Sequence, residues 1–159
     1  MRISERPQNQ GPRVLQEILR LENLATDRGI QERSFPIVLL LKGPLGVGKT
    51  EFVKSFWRSL GGDGGQVQSP TFLKAIEYVN PKGIRLLHCD FYRIEEAHHL
   101  SAEIFLESFE NAHIICIEWA ERLEELLDVQ HPLRRFLNRS SRYQLSWSGL
   151  GEFEFMSCP

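Results

Sequence analysis

The sequence predicts an α/β fold: a three-layer sandwich around a mostly parallel central sheet, with an inserted antiparallel hairpin. Two unbroken apolar runs, Ile37-Val38-Leu39-Leu40-Leu41 and Ile114-Ile115-Cys116-Ile117, have the length and the lack of alternation expected of strands buried on both faces. A glycine-rich stretch follows the first run directly and leads into a helical pattern. Two β-rich runs, Leu73 to Val79 and Ile84 to Cys89, flank Asn80-Pro81-Lys82-Gly83, a turn sequence that makes them a hairpin.

The elements follow in chain order. Val14, Leu15, Ile18, Leu21 and Ala25 share one helical face, with Pro12 near the start and Gly29 past the end, so residues 13–28 are predicted to flank the sheet as a helix. Pro36 precedes the first buried strand. Phe52, Val53, Phe56, Trp57 and Leu60 recur at helical spacing until Gly61-Gly62 ends the pattern. After a glycine-rich loop and the hairpin, Glu95 to Phe109 has helical composition. The second buried strand ends in Glu118-Trp119, and a charged helix is expected from Ala120 to Leu127. Pro132 then introduces what reads as a polar, arginine-bearing connection. Tyr143, Leu145 and Trp147 alternate with polar residues, as do Phe153 and Phe155 beyond Gly149-Leu150-Gly151, which predicts a C-terminal β extension over 139–157.

The 159 residues suit one domain, 1–159, with its motif-bearing core at 35–127. A chain 42% hydrophobic and 25% charged reads as an ordinary soluble protein, and no apolar stretch reaches membrane-spanning length. Met1 to Gln10 lack the apolar core of a signal peptide, which predicts a cytoplasmic protein. Three well-separated cysteines without a CxxC pair argue for reduced thiols and against a zinc cluster. A net charge of −2 argues against a chain that holds RNA or DNA by itself. Arg134, Arg135, Arg139 and Arg142 gather near the C-terminus, where a solvated surface is the plainer reading.

Gly43-Pro44-Leu45-Gly46-Val47-Gly48-Lys49-Thr50 fits the P-loop pattern in full, between a strand and a helix. Such a loop curls so that consecutive N–H groups point at phosphate oxygens, which places Pro44, Leu45, Gly46, Val47, Gly48, Lys49, Thr50 and Glu51 at a nucleoside triphosphate. Lys49 would bring a point charge to the β- and γ-phosphates. Thr50 would offer its hydroxyl to magnesium at a helix N-terminus that favours anions. Phosphoryl chemistry also needs an acid for the metal, and two acids stand at the ends of apolar strands: Asp90 and Glu118. Either could instead be a solvated strand-end residue, and the two are unranked. Alternation puts His88 on the side of Asp90, so that His88 could orient a water or Asp90, while Arg93 could meet phosphate or a neighbouring acid. Thr71 of Ser69-Pro70-Thr71 lies where a segment sensing the γ-phosphate would lie. Trp119 is read first as packing, with contact to nucleotide or to a partner as the alternative.

Together GPLGVGKT at 43–50, SPTF at 69–72, EY at 77–78, HCDFYR at 88–93 and IEWAERL at 117–123 resemble the TsaE (YjeE) family of small bacterial ATPases, required for threonylcarbamoyladenosine in tRNA. The resemblance covers about residues 35–127. It implies a P-loop NTPase fold with ATP and Mg2+ as cofactors: Lys49 on the phosphates, Thr50 and Glu118 on magnesium, Asp90 as a further essential acid and Thr71 in a switch-like loop. It also implies association with a threonylcarbamoyl transferase (TsaD-like) and its non-catalytic paralogue (TsaB-like), whose complex is reset by ATP hydrolysis. tRNA would be met only through that complex, with no membrane or DNA contact. Family members usually carry Asp in place of Pro44 and Ala in place of Val47, and Pro44 has no N–H to give to phosphate. No glutamine or arginine beside the loop is an evident water-positioner or finger, which predicts slow hydrolysis until a partner completes the site. Two other functions fit the same residues: a small-molecule or nucleotide kinase with Asp90 as base, and a binding module gated by nucleotide.

Overall fold

A computed structural model of the chain describes residues 1–70, 75–94 and 103–158, and shows a mixed α/β architecture. Among the described residues, seven strands form one sheet in the order β1-β7-β6-β2-β5-β4-β3, comprising β1 (Arg2–Ser4), β2 (Ile37–Lys42), β3 (Ala75–Val79), β4 (Arg85–Asp90), β5 (Ile114–Glu118), β6 (Ser141–Gly149) and β7 (Glu152–Cys158). The middle four strands, β6-β2-β5-β4, run parallel, and the pairs at both edges are antiparallel. The hairpin is present as β3 and β4, with β4 serving also as a member of the parallel block; residues 73 and 74 of its expected first strand lie outside the described residues.

Both apolar runs are buried on both faces. One face carries Leu39, Leu41, Leu86 and Cys116 and is covered by α1 (Pro7–Leu21) and α3 (Lys49–Ser59). The other carries Val38, Leu87, Ile115 and Ile117 and is covered by α4 (Glu103–Asn111), α5 (Arg122–Leu126) and α6 (Pro132–Asn138). Behind the glycine loop, Phe52 of α3 meets Phe56, Trp147 and Phe153 with ring centroids 5.7–5.8 Å apart, edge-on to Trp147 and Phe153. Such aromatic pairs add about 0.5–1.5 kcal/mol each beyond their buried area, and here they fix the first turn of α3 against β6 and β7.

Four expectations are corrected. The helix expected over 13–28 starts earlier and ends sooner, at Pro7–Leu21, and a separate short helix, α2 (Arg28–Gln31), follows. Pro12 lies inside α1 because a neighbour replaces the hydrogen bond it cannot make: the Ser55 hydroxyl donates to the Gln8 carbonyl at 2.9 Å, while Gly11 N–H donates to Ser55 Oγ at 3.0 Å. Pro132 does not begin a connection but opens α6 at its first turn, where Pro lacks only an N–H that would be orphaned anyway; His131 Nδ1 accepts Leu133 N–H at 3.2 Å as the cap. The C-terminal β structure is not an extension, since β6 pairs in parallel with β2 from Ile37↔Ser141 to Lys42↔Ser146, inside the sheet. The N-terminal strand β1, three residues long, was not expected and pairs with β7. Of the helix expected over 95–109, residues 95–102 lie outside the described residues and α4 supplies the rest.

The close approach of α1 and α3 depends on Gly11. A Cβ there would lie 2.2 Å from the Phe56 backbone nitrogen and 2.3 Å from the Ser55 carbonyl carbon. Alanine is intrinsically better in a helix by about 1 kcal/mol, but overpacking against backbone costs about 1–3 kcal/mol. Gly11→Ala is therefore expected to lower the unfolding free energy by roughly 1–2 kcal/mol in a urea titration. A variant as stable as the parent would contradict the helix packing described.

Candidate functional site

The loops at the carboxyl ends of β2, β5 and β4 converge on one edge of the sheet, the place where open α/β sheets hold ligands. They enclose a cleft of about 560 Å3 lined by Leu45, Gly46, Gly48, Lys49, Thr50, Glu51, Ser69, Asp90, Tyr92, Arg93, Glu118 and Trp119. The glycine loop reaches it through positive φ angles at Gly43 (141°), Gly46 (78°) and Gly48 (106°). Gly48, the N-cap residue of α3, sits in the left-handed region with open space where a Cβ would be.

Lys49 is buried, and Nζ donates to the Gly43 carbonyl at 2.6 Å and the Pro44 carbonyl at 2.8 Å. The ammonium also lies 4.2 Å from the centroid of a Trp119 ring. Burial pulls the Lys49 ammonium below its ordinary pKa, opposed by the carboxylates of Glu118, Glu121 and Asp90. Pro44 thus contributes to the loop through its carbonyl oxygen, and Leu45 is exposed at the mouth. Val47 is turned into the core on the α3 side of the sheet and is not among the residues lining the cleft.

Parallel pairing sets Asp90 opposite Glu118 and His88 opposite Cys116, so His88, Asp90 and Glu118 lie on the face that α3 covers. Thr50, in the first turn of α3, donates its hydroxyl proton to Glu118 Oε1 at 2.7 Å. His88 Nε2 lies 2.8 Å from that same oxygen. Asp90 is also buried, its Oδ1 accepting Tyr92 N–H at 2.8 Å. Of the two acids, Glu118 is the one the fold joins to Thr50. The expected association of His88 with Asp90 is replaced by the hydrogen bond to Glu118, its diagonal neighbour on the adjacent strand.

Trp119 has φ 59°, a left-handed conformation that a bulky residue rarely adopts and that costs on the order of 1–3 kcal/mol. Its neighbours impose it. Phe91 N–H donates to the Glu118 carbonyl at 3.1 Å and Ala120 N–H to the Leu41 carbonyl at 3.2 Å, which pins the chain to both adjoining strands and leaves the turn to Trp119. The indole is half-buried against the core of the second face, lines the cleft and lies 4.7 Å from the Tyr92 ring. Trp119 both packs against the core and lines the cleft. Arg122, absent from the expected site, fastens the neighbouring turn by donating to the Phe91 carbonyl at 3.1 Å and to the Tyr92 carbonyl. It falls within the IEWAERL motif at 117–123, but nothing in the residue itself shows that it reaches the carbonyls after β4.

Arg93 and Glu51 line the cleft, and Thr71 lies outside the described residues. The oxygens of Thr50, Glu118 and Asp90 are hard donors of the kind magnesium takes. Because Thr50 gives its proton to Glu118, its hydroxyl lone pairs stay uncommitted, and among the described residues Glu118 Oε2 accepts no hydrogen bond. The residues present therefore fit a magnesium ion. Among the described residues, no helix is long and apolar enough to cross a membrane.

A family model described as threonylcarbamoyl adenosine biosynthesis protein TsaE matches residues 15–144. The protein named tRNA threonylcarbamoyladenosine biosynthesis protein TsaE in Bacillus subtilis is 35% identical over 124 residues, covering 76% of this chain and 75% of its own. Its namesake in Synechocystis is 37% identical over 109 residues, covering 64% and 68%, respectively. One in Rickettsia bellii is 34% identical over 90 residues, and the chain spans 61% of that protein's length. The match takes in the glycine loop, both acids and β6 as far as Gln144, so the chain belongs to the TsaE family.

Proposed function

We propose that this chain is a P-loop ATPase, slow by itself, that serves the threonylcarbamoyladenosine modification of tRNA. The observation that carries the nucleotide part is the Thr50–Glu118 hydrogen bond at the head of a glycine loop whose lysine stands in the same cleft. The tRNA part is supported by family membership and by the names of the relatives.

ATP would lie along residues 43–50 with its phosphates at the N-terminus of α3. Lys49 would exchange the Gly43 and Pro44 carbonyls for β- and γ-phosphate oxygens, a short swing that keeps a buried ammonium hydrogen-bonded throughout. Thr50 and Glu118 would hold magnesium, with Asp90 one strand away. When bound, the metal neutralises charge on the transferring phosphoryl group. Trp119 and Tyr92 would wall the phosphates from water, and Arg93 would lie within the cleft for charge that develops there.

In this reading the chain works with a TsaD-like threonylcarbamoyl transferase and its TsaB-like paralogue, tRNA being held through their complex. Depletion of this protein in its source cell, followed by nucleoside mass spectrometry of total tRNA, is expected to remove threonylcarbamoyladenosine. An undiminished level of that nucleoside would contradict the tRNA part of the proposal.

A further inference from the structure

His88 is fully buried, and of its two ring nitrogens only Nε2 has a partner, the Glu118 oxygen 2.8 Å away. A carboxylate accepts and does not donate, so Nε2 carries the hydrogen. A proton on Nδ1 would have no acceptor among the described residues, so the ring is the Nε2–H tautomer with Nδ1 bare. Two donors, Thr50 Oγ1 and His88 Nε2, thus converge on Glu118 Oε1 and hold the carboxylate in one orientation.

From this we infer that His88 is a positioning residue: its Nε2–H fixes Glu118 so that Thr50 is presented to magnesium with its proton already committed. The inference rests on the proposed metal role of Glu118. Without the imidazole, Glu118 keeps a single donor and can turn about its terminal torsion, so Thr50 would no longer face the cation with a fixed pair of lone pairs. Outer partners of this kind typically carry 10–100-fold of metal affinity. A group so deeply buried also has a packing role, so the test must separate position from volume.

Glutamine places its amide nitrogen about where Nε2 lies, whereas asparagine places it about where Nδ1 lies. The full chain is titrated calorimetrically with a non-hydrolysable ATP analogue, in EDTA and in excess magnesium chloride. His88→Asn is expected to bind the analogue in EDTA like the parent and to lose about 10–100-fold of the magnesium enhancement. His88→Gln is expected to retain most of it. Equal enhancement in the two variants would overturn the inference. Glu118→Gln is measured in parallel: if it keeps the full enhancement, the metal role of Glu118 falls together with this inference, and if it loses the enhancement while His88→Asn does not, this inference alone falls. Nitrogen-15 spectra of the histidine-labelled protein supply a readout independent of nucleotide. An Nε2–H signature for His88 is expected, and an Nδ1–H signature would overturn the assignment.

Discussion

Glu118→Gln is expected to bind ATP in EDTA like the parent, to lose the magnesium enhancement of that binding, and to lower the hydrolysis rate by about 100–1,000-fold, the size of loss that follows removal of one preorganised electrostatic group from an active site. The geometry explains the expected size. Glu118 receives Thr50 and His88 on one oxygen, and glutamine offers only one acceptor oxygen, with an amide NH2 in place of the other. If that oxygen meets the two donors, the NH2 occupies the position of Oε2 and repels a cation instead of attracting it. The same variant separates two functions: a module gated by nucleotide alone would keep full partner function with glutamine, whereas an ATPase that resets a complex would fail. Phosphate release and partner complementation measured on one preparation decide between them.

Lys49→Ala is expected to weaken ATP binding by more than tenfold, because charge-assisted phosphate contacts worth about 1.5–3 kcal/mol disappear. It should also disturb the loop itself. The ammonium ties the Gly43 and Pro44 carbonyls together and lies against Trp119, so its removal leaves two carbonyls without their donor and the indole without its cation. A change in tryptophan fluorescence of the nucleotide-free variant is therefore expected alongside the loss of affinity. Unchanged affinity, measured by calorimetry, would overturn the assignment of the glycine loop.

Much of the sheet was legible because buried parallel strands write themselves as uninterrupted apolar runs, and 37–41 and 114–117 are such runs. The hairpin was legible through its turn chemistry, with Gly83 at φ 80° where the chain reverses. The misreadings share one cause. By local rules Pro12 and Pro132 read as boundaries, but Ser55 of another helix supplies what Pro12 lacks, and Pro132 occupies a first-turn position that needs no donor. The place of β6 beside β2 was hidden because alternation in Tyr143, Leu145 and Trp147 reports a buried face and says nothing of the pairing strand.

At the site, the glycine loop with Lys49 and Thr50 was visible as a local motif. Asp90 and Glu118 were visible as acids ending apolar strands, but their ranking was not, since it depends on a contact between residues 68 positions apart. Likewise, alternation tied His88 to Asp90 on its own strand, whereas sheet register brings it to Glu118. The positive φ of Trp119 is a consequence of hydrogen bonds from two neighbouring strands and has no signature in the residue itself.

The most direct test of a partner-dependent ATPase is phosphate release from ATP by the purified protein, alone and with the transferase pair, at matched magnesium and nucleotide concentrations. Slow release by the chain alone and strong stimulation by the pair are expected. Unstimulated release with nucleotide binding intact would contradict the account, and would shift the site toward a gated module or toward a kinase using Asp90 as its base.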